Sequence, residues 1–138
     1  MGNPALWNLP KTGVLCSRAR ARPASPIPAA KAYFSGFHSP MEKQIFERLL
    51  EAKRPLIWCP AWGLDRAAAD PAVRRALEEN RMLVLEMRDA SGTLAAAEAR
   101  NRFVIENADA LWTPHVNPGG MLDRLLNENQ TTEVLNHR

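Results

Sequence analysis

"EARNRFVIENADALWTPHVNPGG", Glu98 to Gly120, carries a helical pattern, a short apolar strand and a glycine-rich turn into the next helix without a break. Asn101 follows Ala97 by four residues and precedes Ile105 by four and Ala108 by seven, the spacing that gathers side chains on one helical face. Ala110–Thr113 is an apolar run too short for a helix, and it reads as a buried strand. Asn117-Pro118-Gly119-Gly120 then breaks the chain and opens a helix whose stripe is Met121, Leu122, Leu125 and Leu126. Helix, strand, turn and helix in this order form the repeating half of an α/β layer protein.

The same alternation extends upstream. Thr12–Cys16, Leu56–Cys59 and Met82–Met87 read as further buried strands, and a short apolar stretch precedes Ser35-Gly36. Pro40–Lys53 shows apolar residues at 41, 45, 46, 49 and 50, with Ser39 as N-cap and Pro40 at the first helical position. Asp70-Pro71 starts a second helix in the same manner, running to about Asn80 with Val73, Ala76 and Leu77 inward. A third covers roughly Thr93–Asn107. The pattern predicts a mostly parallel sheet whose ligand loops follow residues 16, 35, 59, 87 and 113, beyond the C-terminal strand ends.

A chain of 138 residues is long enough for one core without disulfides or metal, and its 46% hydrophobic and 24% charged residues are those of an ordinary globular protein. No apolar run approaches a membrane span, and no secretory signal is visible. Cys16 and Cys59 are too few for a disulfide framework and form no metal-ligand spacing with the three histidines, so a reduced, cytoplasmic setting without cofactor or metal is expected. The net charge of +3 is uneven: residues 1–41 hold five basic groups and no acid. Such an arm attracts phosphates or is simply solvated. Residues 1–11 read as an N-terminal extension, 18–31 as a basic Pro/Ala-rich loop, and 127–138 as a tail.

Two turns could hold an anion. Ser35 and Gly36 precede a helix N-terminus, Gly119 and Gly120 open another, and both places offer unpaired backbone N–H groups. Arg102 has Glu98 and Glu106 four residues away on either side, whereas Arg100 has no acid at helical spacing and is the freer cation. Asn101 lies on the apolar stripe, where its amide needs a partner or a ligand. Trp62 offers a base-stacking face after the Leu56–Cys59 strand, although packing is the commoner use of a tryptophan. No Ser-His-Asp order or adjacent carboxylate pair emerges, so no catalytic residue is assigned.

"TGVLCSR" (12–18), "SGF" (35–37), "GLD" (63–65), "ARNRFVIENADALW" (99–112) and "GGMLDRL" (119–125), in that order, resemble the Rossmann-like domain of the DNA-processing protein A (DprA/Smf) family, within the wider SLOG superfamily. The resemblance covers residues 12–126 and implies a three-layer Rossmann-like domain with about four to five strands. It also implies a nucleotide or single-stranded DNA held through phosphates, a recombinase-type protein partner in DNA processing or recombination, and a homo-oligomer. Matched residue by residue, Ser17 and Arg18 fall in the family's first turn, Ser35 and Gly36 in its second, Arg100, Asn101 and Arg102 in its Arg-Asn-Arg helix, and Gly119 and Gly120 in its last turn. Cys16 stands where the family has glycine, and Pro40-Met41-Glu42 where it has Gly-Ile-Asp.

The related LOG-type phosphoribohydrolases use Pro-Gly-Gly-x-Gly-Thr-x-x-Glu. Here Pro118, Gly119 and Gly120 are kept, but Leu122, Asp123 and Leu126 replace the Gly, Thr and catalytic Glu. A phosphate-binding module is therefore the first expectation, a ligand-free interaction domain the second, and a nucleotide hydrolase using Glu42, Asp65 or His38 the third.

Overall fold

Lys11–Val14 (β1) and Ala32–Ser35 (β2) are buried at every position, as strands in the middle of a two-sided sheet must be. A computed structural model describes residues 1–17, 26–60, 68–87, 92–129 and 132–135. The remaining strands are Leu56–Trp58 (β3), Met82–Val84 (β4), Ala110–Trp112 (β5) and Glu133–Leu135 (β6). All pair in parallel in the order β4-β3-β2-β1-β5-β6. The expectation of four to five strands is thus corrected to six, because β6 falls in the stretch expected as a tail. Its residues are too exposed to show a core pattern, with Val134 40% accessible.

The helices are Pro40–Glu51 (α1), Pro71–Glu78 (α2), Leu94–Asn107 (α3) and Met121–Glu128 (α4). Ser39, Asp70 and Thr93 each cap a helix through a side-chain oxygen, and Pro40 and Pro71 supply the preset first turn. On one face of the sheet, α1 and α2 bury Met41, Ile45, Leu49, Val73 and Ala76 against Val14, Tyr33, Leu56 and Trp112. On the other, α3 and α4 bury Val104, Ile105, Leu122 and Leu125 against Leu15, Phe34, Ile57 and Leu111. Each such side chain contributes about 1.5–3 kcal/mol on burial. Gly13 lets α3 sit this close, since a Cβ there would stand 2.8 Å from both Val104 and Leu111.

Residues 1–11, expected as an extension, join the fold. Asn3 N–H donates to the Met82 carbonyl at 2.9 Å and Val84 N–H to the Met1 carbonyl at 2.8 Å, so the first residues pair antiparallel along β4. A 3₁₀ turn, Pro4–Asn8, follows; it buries Leu6 and stacks Trp7 on Phe103. Between β1 and β2, no helix occurs among the described residues; Pro28 and Ala30 instead accept hydrogen bonds from the Tyr33 hydroxyl and the Arg54 guanidinium. The chain runs β1 to β4 outward on one side and then returns to place β5 beside β1. That reversal opens a crevice beyond the C-terminal ends of β1 and β5.

Candidate functional site

The crevice is built from the loops after β1, β2 and β5. Leu15 and Ser17 extend β1 by donating to the carbonyls of Trp112 and His115, at 3.1 and 2.8 Å. Asn117 N–H returns a bond to the Ser17 hydroxyl at 2.8 Å, and His115 Nε2 meets Asn117 Oδ1 at 2.7 Å. After β2, the buried Ser35 hydroxyl accepts from Phe37 N–H at 2.9 Å and so shapes the turn into α1. The Gly36 carbonyl accepts from Trp58 Nε1 at 3.1 Å.

Glu42 occupies the head of α1. It is 5% exposed, and it forms a capping box with Ser39. Its Oε1 accepts from His38 N–H at 2.9 Å and Ser39 N–H at 3.4 Å, and its Oε2 from Cys16 N–H at 2.7 Å, tying the loop after β1 to the start of α1. Burial raises the carboxyl above its ordinary value of 4.5, against the opposing pull of the three N–H groups and the Arg100 charge. Three N–H donors and the Arg100 charge favour the carboxylate form that burial opposes.

Arg100 comes from α3. Its burial at 4% exposure places it among Ala96 and Val104 on the inner face of that helix. Among the described residues it makes no hydrogen bond or ion pair, and its Nε is fully buried without a partner. Burial lowers the guanidinium from 12.5 while Glu42 acts in the opposite sense, and a group that starts so high stays a cation at neutral pH. Gly36 makes room for it: a Cβ there would lie 2.7 Å from Arg100 Nε. A cavity of about 260 Å³ lined by Cys16, His38, Glu42, Lys43, Arg100 and Asn101 connects these groups. Desolvation pushes the Cys16 thiol far up and the Cys59 thiol up to about 12, so both are protonated and unreactive.

Of the residues singled out in the sequence, Arg100 and Asn101 line this cavity and Gly36 packs on Arg100. Asn101 Nδ2 reaches the Met121 sulfur at 3.7 Å. Ser17 and Ser35 hold the surrounding loops. Gly120 caps α4 and Gly119 N–H donates to Asp123, so these two serve the turn beside the cavity. Arg102 points outward into ion pairs with Glu98 and Glu128, and Arg124 pairs with the same two acids; the expected partner Glu106 is replaced by Glu128. Arg18, Trp62 and Asp65 lie outside the described residues. The role of Glu42 as an internal anion at the head of α1 was missed, although the Ser39-x-x-Glu42 spacing of a capping box signals half of it. No group of three or more His, Cys, Asp or Glu side chains able to hold a metal occurs among the described residues, and no described helix is long and apolar enough to cross a membrane.

No protein-family model and no curated protein matches the sequence. Solved structures do. DNA processing protein A (DprA) from Streptococcus pneumoniae superposes with a TM-score of 0.65 at 18% identity over 98% of this chain, which spans about half (52%) of that one. DNA processing protein A from Helicobacter pylori, described for its single-stranded DNA binding mode, superposes with a TM-score of 0.61 at 20% identity over 99% of this chain and 70% of its own. The fold is a DprA-like Rossmann-type domain.

Proposed function

We propose, from this DprA-like fold and the cavity it frames, that the chain binds a nucleotide or single-stranded DNA through a phosphate held by Arg100. One observation carries the reading: a guanidinium nine-tenths buried at the crevice, with no hydrogen bond or ion pair among the described residues and its Nε unsatisfied. Leaving a buried cation unpaired costs stability, and a ligand anion removes that cost. Gly36 and Asn101 shape the seat, while Ser17, Ser35, Gly119 and Gly120 fix the loops around it. Arg18, Arg102 and the stacking face of Trp62 belong to the same proposal as contacts for a longer strand. A role in DNA processing or recombination, with a recombinase-type partner and as a homo-oligomer, is proposed on the likeness in fold.

Arg100→Met tests it. The substitution keeps length and apolar stem but removes the charge, so the domain should be as stable as the parent or more stable by about 1–4 kcal/mol. Binding of a labelled oligothymidylate, followed by fluorescence anisotropy, should fall about tenfold or more, as expected for losing a charge-assisted hydrogen bond. Parent affinity should also drop steeply with salt. Unchanged binding by the variant removes the reading. A parent that gains no thermal stability from any nucleotide or oligonucleotide supports the ligand-free interaction domain instead, a reading that the filling of the α1 head by Glu42 favours.

A further inference from the structure

We infer that this cavity selects a singly charged phosphodiester over a doubly charged phosphate monoester, and that Glu42 sets the limit. The inference rests on the proposed reading of Arg100 and deepens it. In an α/β crevice the N–H groups at the head of a helix and of the neighbouring strand loop would ordinarily hold the ligand phosphate. Here Cys16, His38 and Ser39 spend those N–H groups on the Glu42 carboxylate, at 2.7, 2.9 and 3.4 Å. An arriving anion is left the space beside Arg100, about 260 Å³, which admits a phosphate and its ester carbons rather than a whole dinucleotide.

The charges facing that space come from every surrounding element. Arg100 from α3 is the buried cation, Glu42 from α1 the buried acid, His38 and the Cys16 thiol sit on the loops, and the exposed Lys43 stands at the rim. Arg100 already faces the Glu42 acid, so one added negative charge meets a single buried cation with an acid beyond it. A second has no buried cation to meet and lies in a poorly solvated space beside a carboxylate, the arrangement that keeps two acids from ionising together. A strand's internal phosphodiester carries one charge at all working pH. A terminal monoester gains its second charge at a pH of about 6.

The test compares TpT, one diester with no terminal phosphate, with thymidine 5′-monophosphate by calorimetric titration between about pH 5 and 8. The monoester should weaken by about tenfold relative to TpT as it takes its second charge, the lower end of like-charge coupling at this range. Glu42→Gln should flatten the ratio. A ratio that stays level with pH in the parent overturns the inference, and this arm stands even where the variant does not fold. A folded Glu42→Gln with the parent's ratio overturns it too. A 3′,5′-cyclic nucleotide is the other source of a singly charged diester: binding tighter than TpT supports the charge rule with that source, and weaker binding supports it with a strand as the source. If Arg100→Met abolishes binding of both probes while the parent ratio is level, the phosphate seat stands and only the charge rule falls; if it abolishes neither, both fall.

Discussion

Gly36→Ala asks whether Arg100 is held where a ligand needs it. The added Cβ would stand 2.7 Å from Arg100 Nε, 2.9 Å from Arg100 Cδ and 3.2 Å from the Cys59 carbonyl oxygen. Carbon contacts relax at about 3.5–4.0 Å, so a shift of nearly 1 Å is required. Two of the three neighbours belong to one flexible side chain, so the arginine yields before the backbone does. The stability cost should then be at the low end of the overpacking range, about 1 kcal/mol, or roughly 3–5 °C in melting temperature. The cost to phosphate binding should be larger, about tenfold, because the displaced guanidinium no longer offers good hydrogen-bond geometry. Thermal denaturation and anisotropy on Gly36→Ala, Arg100→Ala and the double variant measure both quantities. In the Arg100→Ala background the alanine at 36 meets only the Cys59 oxygen, so most of its stability cost should vanish, a coupling of about 0.5–1 kcal/mol. Additive costs, or full binding by Gly36→Ala, would refute the view that this glycine exists to seat Arg100.

Two further outcomes follow from the charges. Burial holds the Glu42 carboxyl above 4.5 in the folded state, so the native protein keeps that proton longer than the unfolded chain. The contribution to stability is complete below the unfolded value and is lost as pH rises through the folded one; denaturant titrations across that window should show the slope in the parent and its absence in Glu42→Gln. Arg102→Ala breaks only exposed ion pairs to Glu98 and Glu128, so its melting point should imply a change of less than about 1 kcal/mol; a larger loss would show that the α3–α4 network holds the helices together.

Strand and helix positions were legible wherever burial imposes a period. The buried runs of β3, β4 and β5 and the stripes of α1 and α2 fell within a few residues of their expected ends. β6 was illegible because Glu133 and Val134 are exposed, and a three-residue edge strand without a buried face leaves no pattern. In α3 the period predicts a stripe through Asn101 and Ile105; Ile105 is buried and Asn101 half-buried, while Ala96, Arg100 and Val104 form a second buried line beside it. Adjacent stripes differ by a single residue, and sequence offers no reason to bury an arginine beside an available asparagine. What did mark Arg100 was a negative signal, the lack of an acid at helical spacing, which becomes in three dimensions the lack of any described partner. Glu42 shows the opposite limit: its helix cap is local and readable, whereas its bond to Cys16 N–H spans 26 residues and exists only once the sheet has formed.

The pairing of Met1 to Asn3 with β4 gives the sheet a handedness of growth. One margin is covered by the chain's own first residues, and β6 stands at the other end of the strand order. A sheet open on both margins can add copies head to tail without end, as fibres do. Removing the Asn3–Met82 bond, for example by deleting residues 1–3, would bare the backbone groups of β4 to such addition.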